Sequence, residues 1–536
     1  MTIRLQIITL FFGVLLVSCL KRTETPVKPN ILFIMSDDHA AHAIGAYGGR
    51  LSVLNPTPVL DELANNGVLF ENAFCTNSIC TPSRATILTG QYSNINGVLD
   101  LDIPLKPENQ YLPEELKKLG YETAIIGKWH LHSTPAFDYY KILYEKGGQG
   151  TYFNPRFIES GIPYPENGTQ PAKFHEYPGH STDVITDQTI DWLKNKRNKN
   201  KPFFLMHQYK APHDMFEYAP RYESYLVNEE IPEPENLYHQ PFFGSEAIRG
   251  RNDSLIHRIG TSVSDRHYVR SYTKDFNIDA SLPDSVRTRL AYQLYLKKYL
   301  RCVKGVDDNL LRLFSWLKEN GLWENTIVIY TSDQGMMLGE HDLIDKRWMY
   351  DESMQIPLIV HFPEKMRIHK QISQLINNTD IAPFIIDLAG GTAPEKMQGK
   401  SFLPLITGQN KTEWRNATYY RYWMHLIHHD IPAHFGLRTE NYKLIFYYGQ
   451  HYNPAEYGNK TMSWLPNSNL IEITPAAWEF YDLKVDPEEN INQYKNPAYS
   501  TIIETLKNEL KEIRIEINDT DEEFPEIFKK INLNWN

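Results

Sequence analysis

The residues best equipped for chemistry fall in a few short stretches of the chain. Cys80-Thr81-Pro82-Ser83-Arg84 runs on into Ala85-Thr86-Ile87-Leu88-Thr89-Gly90. Proline near a helix start is pre-set for the first turn, and a helix N-terminus with Arg84 beside it suits an anion. Taken bare, Cys80 is equally a buried and inert thiol. Two apolar runs, 30–39 and 326–335, deliver polar groups at their ends: Asp37-Asp38 in the first, Asp333-Gln334 in the second. Adjacent carboxylates repel unless a cation joins them, and hard divalent ions favour oxygen ligands, neutral amide oxygens included. An aspartate capping a helix is the alternative for Asp37 or Asp38. Cationic candidates end two further runs, Lys128-Trp129-His130 after 121–127 and Lys210-Ala211-Pro212-His213 after 202–208, and Lys346-Arg347 follows Asp333. A solvated lysine and a packed histidine is the plain alternative at 128 and 130.

The elements that must hold these groups follow from the pattern. Short apolar runs closed by polar residues read as buried parallel strands, and ligands in open α/β sheets gather at the carboxyl ends of strands. Two distant strand ends offering oxygens are what a divalent site on a sheet requires. Helical patterns are expected over 57–64, 112–119, 183–193, 287–320 and 380–389. In the fourth of these, Tyr292, Tyr295, Leu296, Tyr299 and Leu300 share one face as core packing. A strand over 68–74 should feed the Cys80 turn. The Gly-, Pro- and Tyr-rich stretch 147–178 reads as a surface loop and contains an Asn167-Gly168-Thr169 sequon. The long polar stretch 215–284 reads as an insertion near the cleft. Past residue 408 short aromatic strands appear, then a helix over 500–514. The expected division is a catalytic domain over 30–410 and a C-terminal subdomain over 411–536, the latter a small antiparallel sheet plus one helix. The fold class is α/β: a large mixed, mainly parallel sheet sandwiched by helices.

Composition bounds the function. With 41% hydrophobic and 23% charged residues the 536-residue chain reads as globular, one large domain with a smaller one. A formal net charge of -11 argues against nucleic acid as a partner. An acidic protein that binds an anion must concentrate its cations locally, so each Lys, Arg and His near the site is informative. The apolar run 5–17 after Arg4 is too short to span a membrane and has the shape of a signal peptide. It ends Leu16-Val17-Ser18-Cys19, similar to a lipobox with Cys19 as the lipidated residue; 20–29 reads as a tether. The expectation is an exported lipoprotein of the outer membrane or periplasm, held by a lipid anchor. Of the remaining cysteines, Cys75 and Cys302 are expected as buried free thiols.

Cys-x-Pro-Ser-Arg followed by Thr-Gly resembles the signature of type I sulfatases, members of the alkaline phosphatase superfamily. The resemblance extends to Ser36-Asp37-Asp38-His39, Gly127-Lys128-Trp129-His130, Ala211-Pro212-His213, Ser332-Asp333-Gln334-Gly335 and 339–346. It implies that a dedicated maturation enzyme oxidises Cys80 to formylglycine (3-oxoalanine). It further implies that Asp37, Asp38, Asp333 and Gln334 bind Ca2+ together with modified Cys80. Gln334 departs from the asparagine or histidine frequent in the family. Lys128, Lys346 and Arg84 would supply fixed positive charge. A hydroxyl of the hydrated aldehyde would attack sulfur, with His213 and Lys346 near the leaving alkoxide. His130 would then take a proton from the resulting sulfate hemiacetal so that sulfate is expelled.

The implied substrate is a sulfated polysaccharide or oligosaccharide, with a lean to algal material such as ulvan. A glycosaminoglycan sulfatase, such as an N-acetylglucosamine-6-sulfatase, is the alternative. A phosphodiesterase or phosphonate ester hydrolase of the same superfamily, and an inactive glycan-binding lipoprotein, are the further ones. Tyr419-Tyr420-Arg421-Tyr422-Trp423 with His425, His428, His429 and His434 reads either as a sugar contact or as a packed domain seam.

Overall fold

The computed structural model describes residues 28–535 except 166–168, 250–254, 258, 268–269, 367, 369, 409–412, 428 and 454–472. The signal-peptide reading with Cys19, His428, part of the sequon and the boundary near 410 lie outside the described residues.

A sheet of ten strands organises the chain. Its centre is parallel: Asn30–Asp37 lies between Thr326–Ser332 and Phe203–Pro212, followed outward by Glu122–Gly127 and Tyr139–Leu143. Antiparallel strands enter toward both edges, with Leu358–His361 against Thr326–Ser332 and Arg156–Glu159 against Tyr139–Leu143. Alternation along Asn30–Asp37 explains why its sequence is apolar throughout. Ile31, Phe33 and Met35 enter one core cluster, while Leu32 and Ile34 enter the other. The first cluster includes the helices Cys80–Thr89, Tyr111–Lys118 and Ile381–Leu388; the second includes Pro58–Asn65, Ser181–Asp191 and Asp284–Glu319. Burying these five large apolar side chains of the strand contributes on the order of 10 kcal/mol at ~1.5–3 kcal/mol each. That fixes the strand, and therefore the position of the acids at its end.

A second sheet of four antiparallel strands follows: Ala417–Tyr422, His434–Thr439, Tyr442–Tyr447 and Ala477–Asp482. Two helices accompany it, Ser500–Glu516 and Pro525–Asn534, where one was expected. Ile527 and Ile531 of the last helix enter the same apolar cluster as Leu506 and Leu510. The helix is short and mostly polar, so its apolar stripe is faint in the sequence. The expected surface loop over 147–178 is corrected in part, because Arg156–Glu159 and His175–Glu176 extend the main sheet. These strands are too brief for a period of two to stand out. The expected strand over 68–74 divides into Val68–Phe70 and Ala73–Phe74, in different sheets. Cys75 and Cys302 are buried free thiols.

Candidate active site

Strand register sets the site. Ser36 pairs with Ser332 across parallel strands, so Asp37-Asp38 and Asp333-Gln334 leave the sheet side by side. On the other flank Gly127 pairs with Gln208, which brings Lys128 to the same edge. Gly127 has φ +110° and a Cβ there would fall 1.9 Å from the Gln208 carbonyl oxygen, so the chain can approach this closely only at glycine. The helix Cys80–Thr89 begins at Cys80 itself, with Ser83 Oγ donating to the Asp333 carbonyl oxygen and Asn378 Nδ2 donating to Ser83 Oγ at 3.0 Å. These bonds fix the cysteine at the mouth of the carboxylate cluster.

Asp37, Asp38, Asp333 and Gln334 are fully buried and converge. Carboxylate oxygens of the three aspartates lie within 4.8 Å of one another, and Asp37, Cys80 and His213 form a second such group. Cys80 Sγ is 3.3 Å from Asp37 Oδ1 and 3.4 Å from Gln334 Nε2. Lys128 Nζ donates to Asp37 Oδ2, and Lys346 Nζ lies 2.5 Å from Asp38 Oδ2. Arg84 places Nε 2.9 Å and Nη2 2.8 Å from Asp333 Oδ2, and its Nη1 donates to the Gln208 side-chain and Lys128 backbone oxygens. His213 presents Nε2 3.8 Å from Asp38 Oδ2, while its Nδ1 is 2.8 Å from Asp214 Oδ1 and 2.7 Å from the Asp214 carbonyl oxygen. His130 is buried beside them, and its Nδ1 has no hydrogen-bond partner among the described residues.

The electrostatics follow from crowding. Burial pushes the Asp37 carboxyl up, but Lys128, His213, Arg84 and Lys346 together outweigh it and hold the group well below the usual carboxylate range. Burial pushes Asp333 up to about 7; Arg84 opposes this, and the neighbouring Asp37 and Asp38 add to it. The acids therefore repel one another, and a further cation would relieve that repulsion. Burial, then Lys128 and His132, hold His130 well below the ordinary histidine value, so its imidazole is neutral. Burial pushes the Cys80 thiol up to about 12, with Asp37 adding to it, so as a thiol it is a poor nucleophile.

The donor set fits a hard divalent ion. Three carboxylates and an amide meet in one place, and Gln334 Oε1 is a buried acceptor with no hydrogen-bond partner. Which amide atom faces Asp38 is a matter of hydrogen-bond assignment, and an oxygen there would complete an all-oxygen ligand group.

A cavity of about 250 Å³ opens over these groups, and sequence reasoning found only part of its wall. His213 and Lys346 line it, as expected, together with Lys210, Asp214, Arg270 and Arg347. Asp214 is held by Arg270 Nη2 at 2.6 Å, and Asp345 pairs with Arg347. Arg270 comes from the polar stretch 215–284, so that stretch reaches the cleft. Its long irregular course gave no periodic signal that could single the residue out.

The aromatic phrase at 419–423 is a packed seam, which corrects the sugar-contact reading. Tyr420 is buried and its hydroxyl bonds Ser78 Oγ at 2.5 Å and the Arg347 carbonyl oxygen at 2.9 Å. Arg421 reaches Asp519 and Asp521, His425 Nδ1 accepts from the Ala433 amide at 3.0 Å, and His434 is enclosed by tyrosines. Among the described residues of this group, only His429 lines the cavity.

The sulfatase family model matches residues 29–391, over two thirds of the chain and all the stretches that build the site. This chain belongs to the sulfatase family. A model described as the C-terminal part of N-sulphoglucosamine sulphohydrolase matches residues 339–461. The sulfatase is similar to an N-acetylglucosamine-6-O-sulfatase of Bacteroides thetaiotaomicron, 35% identical over 96% of this chain and 92% of the relative. It is also similar to a solved protein in complex with its substrate D-glucosamine-2-N,6-O-disulfate. That match has TM-score 0.76 and 34% identity, covering 92% of this chain and 99% of the other. An ulvan-active sulfatase of Formosa agariphila is 26% identical over 91% of this chain and 80% of its own length. The protein is therefore a sulfuric ester hydrolase of alkaline-phosphatase-like architecture, from a family that generally uses formylglycine and a divalent metal.

Proposed function

We propose that this sulfatase removes a 6-O-sulfate from a glucosamine residue of a glycosaminoglycan. The observation that carries this reading is 35% identity to an N-acetylglucosamine-6-O-sulfatase along nearly the whole of both chains, against 26% to the ulvan-active relative. The lean toward algal polysaccharide drawn from the sequence gives way to it.

In this reading Asp37, Asp38, Asp333 and Gln334 would hold Ca2+, and the ion would supply Lewis-acid charge neutralisation for the sulfate ester. Cys80, once oxidised to formylglycine, would supply a hydrated aldehyde as the nucleophile. Lys128 and Lys346 present fixed ammonium groups to the sulfate, and Arg84 orients Asp333 from below. A sulfate ester gathers negative charge on its oxygens as the bond to the leaving alkoxide stretches. Donors already in place stabilise that charge without reorganisation. His213 Nε2 faces the cavity and can hand a proton to the alkoxide, while Asp214 Oδ1 keeps the proton on Nδ1. His130 is neutral and its open Nδ1 can accept a proton during release of sulfate.

Desulfation of N-acetylglucosamine 6-sulfate and of ulvan oligosaccharides, measured in parallel on matured protein, tests the assignment. Turnover of the glucosamine sulfate with no release from ulvan is expected; the reverse result sinks it. Export, lipidation at Cys19 and a place at the outer membrane or in the periplasm belong to the same proposal. They are supported by Arg4, the apolar run and Leu16-Val17-Ser18-Cys19. Among the described residues no helix is long and apolar enough to cross a membrane. Loss of radiolabelled palmitate incorporation in Cys19→Ala would bear the anchor out, and an unchanged signal would remove it.

A further inference from the structure

One cation in the cleft has no part in the chemistry above. Lys210 lies two residues beyond Gln208 on the strand Phe203–Pro212, where the register against Asn30–Asp37 shifts between Gln208 and Pro212. Its side chain is only 4% exposed, yet it lines the cavity that also holds His213 and Lys346. The ammonium lies over the Tyr152 ring, 4.9 Å from its centroid, and that ring is fixed by a 2.5 Å bond from its hydroxyl to the His213 carbonyl oxygen. Among the described residues, no hydrogen bond and no ion pair satisfies Lys210 Nζ. The acids facing the same cavity are otherwise engaged or exposed. Asp214 is held by Arg270 and His213, Asp345 is paired with Arg347, and Glu217 is exposed. Lys146, itself exposed, adds a second positive charge to the same wall.

A buried ammonium without a counter-ion is costly, and burial and then Lys128 lower its basicity, to about 8. The other buried lysines of the site, Lys128 and Lys346, each have an aspartate. The space beside Lys210 therefore has the charge, the enclosure and the access of an anion subsite. Lys128 and Lys346 pair with Asp37 and Asp38 of the carboxylate cluster, whereas among the described residues no ion pair joins Lys210 to it.

We propose that Lys210, with Lys146 at its rim, receives a second anionic group of the same substrate, so that the enzyme prefers a glucosamine bearing a further negative charge beyond the ester it cleaves. This rests on the substrate reading given above. The charge could come from an N-sulfate on the same ring or from the carboxylate of a neighbouring uronate.

Lys210→Met, which keeps the stem and removes the charge, tests it. The measured quantity is the ratio of kcat/KM for glucosamine-2-N,6-O-disulfate over that for N-acetylglucosamine 6-sulfate. The wild-type ratio should exceed one, and the variant's should fall tenfold or more, mainly through KM. A disaccharide whose only second anion is a uronate separates the two sources: the same fall there assigns the subsite to the carboxylate. An unchanged ratio with both substrate pairs overturns the proposal. If Lys210→Met does not fold, Lys210→Gln serves, and a wild-type ratio at or below one with both pairs is itself overturning. Should neither glucosamine sulfate be turned over, the substrate reading falls, and calorimetric titration with inorganic sulfate decides the subsite alone. Two binding events in the wild type and one in Lys210→Met support it, and equal stoichiometry refutes it.

Discussion

Two buried charge clusters invite comparison. At the sheet edge Asp37, Asp38 and Asp333 meet Lys128, Lys346 and Arg84. Behind the C-terminal sheet Arg421 and Arg514 meet Asp519 and Asp521, with Arg421 2.5 Å from an oxygen of each acid. Both clusters are buried and each balances cations against acids, but they differ in what lies beside them. In the C-terminal cluster the guanidinium of Arg421 lies 3.4 Å from the Trp423 ring centroid, and that of Arg514 4.2 Å from the Phe435 centroid. Charge and aromatic face pack on one another and the cluster acts as a bracket, although Arg421 Nε and Arg514 Nε are themselves buried without a hydrogen-bond partner among the described residues. At the sheet edge the Gln334 amide oxygen and the His130 ring nitrogen stay open, and a cavity lies above. Buried charge alone does not mark a site; unspent valence beside an access route does.

The comparison can be broken in order of expected effect. Cys80→Ser should lower kcat by about 10⁴-fold or more, the scale of losing a nucleophile, while the melting temperature stays near the wild-type value. Ordinary activity in this variant would refute the nucleophile assignment. Exhaustive treatment with a chelator, followed by dialysis, should abolish turnover, and added Ca2+ should restore it. Activity that survives with no metal detectable by elemental analysis would remove the metal site. Arg421→Met should do the opposite of Cys80→Ser. Breaking a buried pair leaves Asp519 without its arginine, while Asp521 keeps Arg514, and costs about 3–5 kcal/mol, so chemical denaturation should shift strongly while kcat of the folded fraction is retained. A catalytic loss without destabilisation would mean that this cluster, too, belongs to the site.

The smallest effect concerns the seam between the two regions. Glu479 accepts from Ser245 Oγ at 2.8 Å and from the Tyr350 and Tyr481 hydroxyls at 2.9 Å. Burial nevertheless pushes it up to about 7. An acid whose folded value is raised binds its proton more tightly in the folded state, so stability falls as pH rises from about 4.5 to about 7 and is level above that. Glu479→Gln should remove this slope, melting above the wild type at pH 8 and converging with it toward pH 4.5. Parallel curves for the two proteins would show that Glu479 is ionised without cost.

Much of the site was legible because parallel strands announce themselves. The runs 30–39 and 326–335 are apolar on both faces, so each had to be buried, and each ended in oxygen donors. Lys128 and His213 followed the same logic at neighbouring strand ends. Arg270 and Asp214 were not legible as parts of the site: one sits in an irregular stretch, the other beside a histidine, and neither belongs to a periodic pattern. Tyr420 and Arg421 show the reverse failure. Aromatic and cationic residues in sequence suit a sugar surface and a packed seam equally, and only burial separates them.

The sequence by itself determined the element types, the parallel core and the identities of the groups able to bind a cation or move a proton, because burial periodicity and side-chain chemistry are local properties. The tertiary structure decided which of them meet. Register between strands some 300 residues apart put Asp37 beside Asp333, and a long irregular segment carried Arg270 to Asp214. It also decided that, among the described residues, no hydrogen bond or ion pair reaches Lys210 Nζ. A missing partner is a fact about the space around a side chain, which no linear order of residues records.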